Sequence, residues 1–295
     1  MGIVLATFVA GAVFVAAPVS SHAKDTQDSG EYIFNLAGCE GCHTDKKGGG
    51  QRLAGGRAFK TDYGTFYSPN ITMDLDTGIG AWLLEDFRRA MREGVAPDGS
   101  HYFPAFPYTS YTHMTDSDIT ALWAYLKTQP TVTQSNQKHD LKPPFGWRGL
   151  IPLWNALYLD KGPKNDWSRG RYIAEALSHC HECHTPRNPI GGYDTAKAYA
   201  GTSRNPEGIA VPNITPEPKT GTGKWKSADF DMLFSIGMLP DGDFVSGVMS
   251  ESVSHSTSKM TTDDRKALIE YLQSLPPIEN RIESEKPKNS GTQEW

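Results

Sequence analysis

The sequence predicts an all-α, loop-rich chain in which one helical unit occurs twice in tandem. Three observations predict it. Short motifs recur at a constant spacing: Pro69-Asn70-Ile71-Thr72 returns as Pro212-Asn213-Ile214-Thr215, Thr77-Gly78 as Thr220-Gly221, Trp82 as Trp225, Asp86-Phe87 as Asp229-Phe230, and Pro97-Asp98-Gly99 as Pro240-Asp241-Gly242, each pair 143 residues apart. So many matches at one offset mark a duplication. The 29 Gly and 20 Pro residues favour loops and short helices over an extended sheet or a coiled coil. Apolar residues at helical spacing close each copy: Ile119, Leu122, Trp123 and Leu126 in the first, Leu268, Ile269, Tyr271 and Leu272 in the second.

In chain order, residues 1–23 form an apolar run ending in Ser21-His22-Ala23, which reads as an export signal cleaved after Ala23. The first unit is expected over 24–130 and the second over 167–282. Each opens with a short helix, Glu31 to Gly38 and Arg171 to Ser178, continues through Gly/Pro-rich loops, and carries a middle helix near Leu84–Arg92 or Ala228–Ile236. Each closes with the stronger helix, for which Thr115 and Thr262 are the expected N-caps and Pro130 and Pro276 the stops. Residues 131–166 join the units. Lys142-Pro143-Pro144-Phe145-Gly146-Trp147 and Ile151-Pro152-Leu153-Trp154 make that connector too aromatic for a free linker, so it is expected to pack across both. Residues 283–295 are a polar tail. The net charge of −5 gives no sign of a nucleic-acid partner, and no segment after residue 23 is long or apolar enough to span a membrane.

All four cysteines fall in two motifs, Cys39-Glu40-Gly41-Cys42-His43 and Cys180-His181-Glu182-Cys183-His184. C-x-x-C-H is the attachment motif of c-type haem. The two thiols add to the haem vinyl groups as thioethers, and the following imidazole binds the iron from the proximal side. The expectation is therefore two covalently bound haem c groups, held by Cys39, Cys42, Cys180 and Cys183, with His43 and His184 on the irons. A thioredoxin-like pair does not need the following His, and zinc needs its ligands gathered four to a site. His179 and His181 are expected at the surface.

The sixth ligand separates electron transfer from small-molecule chemistry. In the second unit Met249 lies in the loop before the closing helix and is the favoured ligand, with Met260 the alternative. The same 143-residue offset places Phe106 opposite Met249, and Phe cannot bind iron. For the first iron Met114, His113, His101 and an open site remain as alternatives.

With these motifs stand Gly55-Gly56-Arg57, Ser68-Pro69-Asn70-Ile71-Thr72, Thr77-Gly78-Ile79-Gly80, Arg92-Glu93-Gly94-Val95, Pro104-Ala105-Phe106-Pro107-Tyr108 and His184-Thr185-Pro186-Arg187. Together they resemble the cytochrome c subunits of membrane-bound alcohol and gluconate dehydrogenases and their soluble two-haem relatives, from about Gly30 to Pro277. The resemblance implies tandem cytochrome c domains, each wrapped around one covalent haem. It also implies an axial Met at the position of Met249 and, in those subunits, a Met where this chain has Phe106. The expected role is a periplasmic relay that takes electrons from a dehydrogenase and passes them to another cytochrome or a terminal oxidase. The alternative is a haem enzyme, a peroxidase or an oxidase of a small sulfur compound, acting at an atypically ligated first haem with Tyr108, Tyr111, His101 and His113 around it. A haem-based sensor is a third class, but no signalling segment accompanies the motifs.

Overall fold

The computed structural model describes Met1 and residues 21–282, with side chains from Ser29 onward. Most of the expected export signal and the whole polar tail lie outside the described residues.

The first half begins with α1 (Ser21–Leu36), which runs into α2 (Cys39–His43). A hairpin of β1 (Ala58–Thr61) and β2 (Gly64–Tyr67) follows, then α3 (Leu84–Glu93), α4 (Tyr108–Tyr111) and α5 (Asp116–Leu126). Past α5 the chain adds β3 (Asp140–Leu141) to the hairpin and forms α6 (Ile151–Tyr158). The second half opens with α7 (Arg169–Tyr172), continues as a π-helical turn over Ile173–Leu177, and enters α8 (Cys180–His184). It closes with α9 (Ser227–Ile236), α10 (Gly247–His255) and α11 (Thr262–Ser274). Among the described residues no helix is long and apolar enough to cross a membrane.

The all-α expectation needs one correction. β1, β2 and β3 make a small antiparallel sheet in the order β1-β2-β3. Gly64, at φ 121°, turns the hairpin tightly enough for β3 to pass within reach of its backbone. The third strand is only two residues long, so it leaves no alternating pattern for a sequence reading to find.

The repeated motifs are structural devices. In each middle helix an Asp three residues in accepts from the backbone just before the helix: Asp86 from the Leu83 amide at 3.0 Å, and Asp229 from the Lys226 amide at 2.7 Å. This satisfies an otherwise orphaned donor. Phe87 and Phe230, one residue on, are buried. Thr115 caps α5 as expected, its hydroxyl accepting from the Asp118 amide. In the second half the cap is Thr261 rather than Thr262, accepting from the Asp264 amide, and Thr262 is already helical. Two adjacent threonines are equally good caps in sequence, and only the extended backbone of Thr261 decides between them.

Each closing helix crosses the opening helix of its own half, α5 on α1 and α11 on α7, and both crossings sit on a glycine. A Cβ on Gly30 would stand 2.1 Å from the Ala121 carbonyl oxygen, and one on Gly170 would stand 2.0 Å from that of Ala267. One continuous core joins the halves, including Ile33, Phe34, Leu122 and Met114 from the first and Ile173, Leu177, Leu268 and Met260 from the second. The connector bridges them as well. The Tyr108 hydroxyl donates to Asn155 of α6, and the Trp154 indole and Tyr158 hydroxyl reach Ile190 and Asn188 of the second half. The outer face of this segment, with Trp147, Leu153 and Leu157, is exposed.

The loop after Pro69 is organised by Asn70 and Asp74. Asn70 is almost fully buried and donates to Val132 O at 2.8 Å. Asp74 accepts from the hydroxyls of Thr133 and Thr77 and from the Thr77 amide, all at 2.7 Å, and these bonds hold its carboxyl down at about 2. A carboxyl lowered on folding contributes stability that is complete above its ordinary value of 3.8 and is lost as pH falls toward the folded value. Asp74→Asn is accordingly expected to flatten the acid limb of a melting-temperature profile between pH 4 and 2. An unchanged slope would remove Asp74 as a source of acid sensitivity.

Candidate metal centres

The two C-x-x-C-H segments are single helical turns entered through a residue in the left-handed region, Gly38 at φ 64° and His179 at φ 40°. The sharp entry turns each short helix away from the helix before it. All four cysteines are free thiols. Desolvation is the main cause that raises each of them, with Cys39, Cys180 and Cys183 pushed up to about 12. None of the four is bridged to another. The Cys42 and Cys183 thiols lie within electrostatic reach of each other, so the two motifs are near neighbours.

The imidazoles of the two motifs are oriented in the same way. His43 Nδ1 donates to Pro69 O at 2.8 Å, and His184 Nδ1 donates to Pro212 O at 2.8 Å. A carbonyl can only accept, so Nδ1 carries the proton and Nε2 presents its lone pair, the arrangement typical of a metal-bound His with an oriented ring. The proline carbonyls reach this position because Gly55 (φ 75°) and Gly201 (φ 74°) let the backbone pass against them. A Cβ on either glycine would lie within 2.5 Å of the Pro69 or Pro212 backbone. The recurrence of Pro-Asn-Ile-Thr thus has a site role as well as a loop role. Among the described residues no three His, Cys, Asp or Glu side chains group into a cage for a bare ion. The donor set of each motif, two thiols and one oriented imidazole, fits covalent haem.

The sixth-ligand candidates fall in different surroundings. Met114 is 0% exposed and Met260 is 4% exposed, both within the core. Each is the residue just before the threonine cap of a closing helix. Each has its carbonyl held by a guanidinium at 2.8 Å, Arg92 on Met114 and Arg265 on Met260. They are structural counterparts, 146 residues apart. Met249 lies on α10 and is half-buried against the same core. Its offset partner Phe106 packs on Tyr102, Tyr108 and Tyr111.

Three of the four polar groups expected around an open first site are engaged elsewhere. The Tyr111 hydroxyl donates to Ala37 O, Tyr108 to Asn155, and His113 Nδ1 to Gly162 O with its ring against Trp167. The His101 backbone bridges Val95, but its imidazole Nδ1 is buried without a hydrogen-bond partner.

The surface assignment of His179 and His181 is corrected. Both are half-buried, His179 against Tyr111 of the first half and His181 against Tyr193 and Tyr199. Burial lowers both below the ordinary imidazole range. Sequence reasoning also passed over Glu182, inside the second motif. Its carboxylate pairs with Arg187 at 2.8 Å and accepts from Thr109 at 3.0 Å and Ser110 at 2.8 Å, both on α4 of the first half. Burial opposes its ionisation, but the attraction of Arg187, with smaller help from the neighbouring histidines, holds it at about 2. The other motif is covered reciprocally. Arg57 donates to Gly41 O and pairs with Glu251 of α10 at 2.7 Å, and Lys46 meets His255 of α10 at 3.2 Å. Each motif helix therefore packs against a helix of the other half, α8 against α4 and α2 against α10.

Comparison with known proteins gives a consistent picture. Residues 27–130 match the family model described as Cytochrome c. The chain is 40% identical over 262 residues to a "Diheme cytochrome c-type" of Cereibacter sphaeroides, covering 85% of this chain and 86% of that protein. It is 35% identical over 268 residues to the fructose dehydrogenase cytochrome subunit of Gluconobacter japonicus, covering 88% of this chain and 54% of that subunit. It is 34% identical over 278 residues to the cytochrome c subunit of the alcohol dehydrogenase (quinone) of Gluconobacter oxydans, covering 88% of this chain and 57% of that subunit. The chain thus spans most of the dihaem relative and little more than half of the dehydrogenase subunits.

Proposed function

Because the chain belongs to the cytochrome c family, we propose that it is an exported electron carrier with two covalent haems in tandem cytochrome c domains, residues 24–130 and 167–282. Cys39 and Cys42 hold one haem and Cys180 and Cys183 the other, with His43 and His184 as proximal ligands. Bound haem supplies a one-electron iron couple. The protein's own part is to orient the imidazoles through Pro69 and Pro212, to exclude water with the core around Met114 and Met260, and to keep the two centres close enough for exchange. The observation that carries this reading is the twofold repetition of the His–Pro carbonyl bond.

Met249 is the sixth ligand of the second haem in this reading, with Met260 the alternative, and Met114 is the candidate for the first. The electron donor is a periplasmic dehydrogenase, a role supported by the dehydrogenase subunits among the relatives. A downstream cytochrome or a terminal oxidase is the acceptor.

The test is the holoprotein matured in a periplasm. Haem analysis is expected to give two haem c per chain. A redox titration is expected to give two one-electron steps, and the reduced protein to leave carbon monoxide unbound. One haem per chain would overturn the proposal, and carbon monoxide binding would favour an enzyme acting at the first haem. Met249→Ala is expected to remove one sulfur-to-iron absorption band while Met260→Ala leaves the bands unchanged. The reverse outcome moves the ligand to Met260.

A further inference from the structure

The connector is apolar on two sides, and the structure uses only one of them. Ile151 of α6 is buried, and the bonds from Tyr108 to Asn155 and from Trp154 and Tyr158 to the second half hold the helix in place. On the other side, residues 142–150 are exposed throughout. Trp147, Leu150, Leu153 and Leu157 are 45% to 65% exposed. Leu150, Leu153 and Leu157 succeed one another at spacings of three and four, so they share one side of the helix, as in the seam of a coiled coil. Phe145, packed on Tyr63, and Ile190, whose carbonyl accepts from the Trp154 indole, widen the exposed face. A helix that is apolar all round is ordinarily buried. These six side chains offer more than the few hundred Å² that a soluble monomer leaves open in one patch. They approach the roughly 800 Å² per partner that a stable interface covers.

The charges decide what fits there. From Gly149 to Leu159 the chain carries none. Arg148 stands at one end of the face, six residues before Trp154, and Asp160 at the other, six residues after it. Lys142 adds a second cation beyond Arg148. Backbone carbonyls hold both cations, Asp62 O for Lys142 and His101 O for Arg148, so neither has a direct carboxylate partner among the described residues. The Asp160 side chain is 73% exposed, and its pair with Lys164 at 2.9 Å is a surface contact of the kind that contributes little. Lys161 is turned instead to Glu93, at 3.4 Å. A face that is uncharged along its length and oppositely charged at its ends complements itself when inverted, which is what a twofold interface requires. A lipid surface fits less well, because a net charge of −5 is repelled by anionic headgroups.

We infer that the connector face is the interface of a homodimer. Two copies of α6 lie antiparallel about a twofold axis, with Leu150, Leu153 and Leu157 of each packed on those of the other. Arg148 of one copy then faces Asp160 of its partner, twice per dimer. Ile190 lies six residues after His184, so the interface borders the loop of the second motif in both copies.

The experiment is sedimentation of the full-length holoprotein over a range of concentrations, and a mass of two chains is expected. Leu153→Asp and Leu157→Asp are each expected to raise the dimer dissociation constant at least about thirtyfold, as for central interface residues. Haem content is expected to stay unchanged, because both side chains already face solvent in a single copy. Arg148→Glu and Asp160→Arg are each expected to weaken the dimer, and the two together to restore it, since the swapped charges again attract. If a leucine variant loses haem, the charge-swap series still decides. A protein that is monomeric at every concentration would overturn the inference, and so would a dimer that survives Leu153→Asp. A monomer that binds vesicles of phosphatidylcholine and phosphatidylglycerol would assign the face to lipid instead. Failure of the double swap to restore association would overturn the antiparallel pairing.

Discussion

Replacing Glu182 by Ala is expected to lower the unfolding free energy of the holoprotein by about 3–5 kcal/mol, the usual cost of removing one partner from a buried ion pair. The side chains of Glu182 and Arg187 are only 9% and 16% exposed, so solvent cannot replace the missing carboxylate. Arg187 would keep its bonds to Gly191 O and the Tyr193 hydroxyl at 3.0 and 2.9 Å, but its charge would be left without a counterion. Thr109 and Ser110 would also lose their common acceptor, loosening α4 from the second motif. Glu182→Gln keeps an acceptor at the same place and is expected to fall between Ala and the unchanged protein. Denaturant titration measures this directly. A loss below about 1 kcal/mol, the size of an exposed pair, would show that the pair is hydrated in solution.

The second large effect concerns the helix crossings. Gly30→Val and Gly170→Val are each expected to cost more than the roughly 1–3 kcal/mol typical of overpacking, because the obstacle is backbone rather than a side chain that can rotate away. At both crossings the facing atoms are a carbonyl and the Cβ of an aromatic residue, Tyr125 or Tyr271. The crossing can accept a side chain only by separating α1 from α5 or α7 from α11, which also moves the attachment motif that follows. The check is thermal unfolding alongside haem content after maturation. A protein with full haem content and an unchanged melting temperature would show that the crossing can slide.

The motif residues were legible because covalent haem attachment demands a fixed spacing, and Cys39, Cys42, His43, Cys180, Cys183 and His184 stand at that spacing. The duplication was legible for the same reason: loops built on Asn70 and Asn213, or on the carbonyls of Pro69 and Pro212, tolerate few substitutes. The segment before each closing helix was harder to align. The halves keep a 143-residue offset through Gly242, but α10 is a nine-residue helix where the first half has the four-residue α4, and the offset becomes 146 by Thr261. A constant offset carried across that change pairs Met249 with Phe106, whereas the caps pair Met260 with Met114. The sheet was missed because β3 is two residues contributed by the connector, and Glu182 because the two hydroxyls it accepts from lie more than seventy residues earlier in the chain, although Arg187 is only five residues on.

The tyrosine caps exchanged between the halves bear on how the chain is made. The Tyr172 hydroxyl accepts from the Thr115 amide, and the Tyr32 hydroxyl from the Thr261 amide. Synthesis delivers the first half ahead of the second, and at that moment α5 lacks the hydroxyl that holds its first turn, since Tyr172 has not yet arrived. The two halves are therefore not beads on a string: a polypeptide ending near Asp166 would carry a complete C-x-x-C-H motif and still lack a contact that finishes α5.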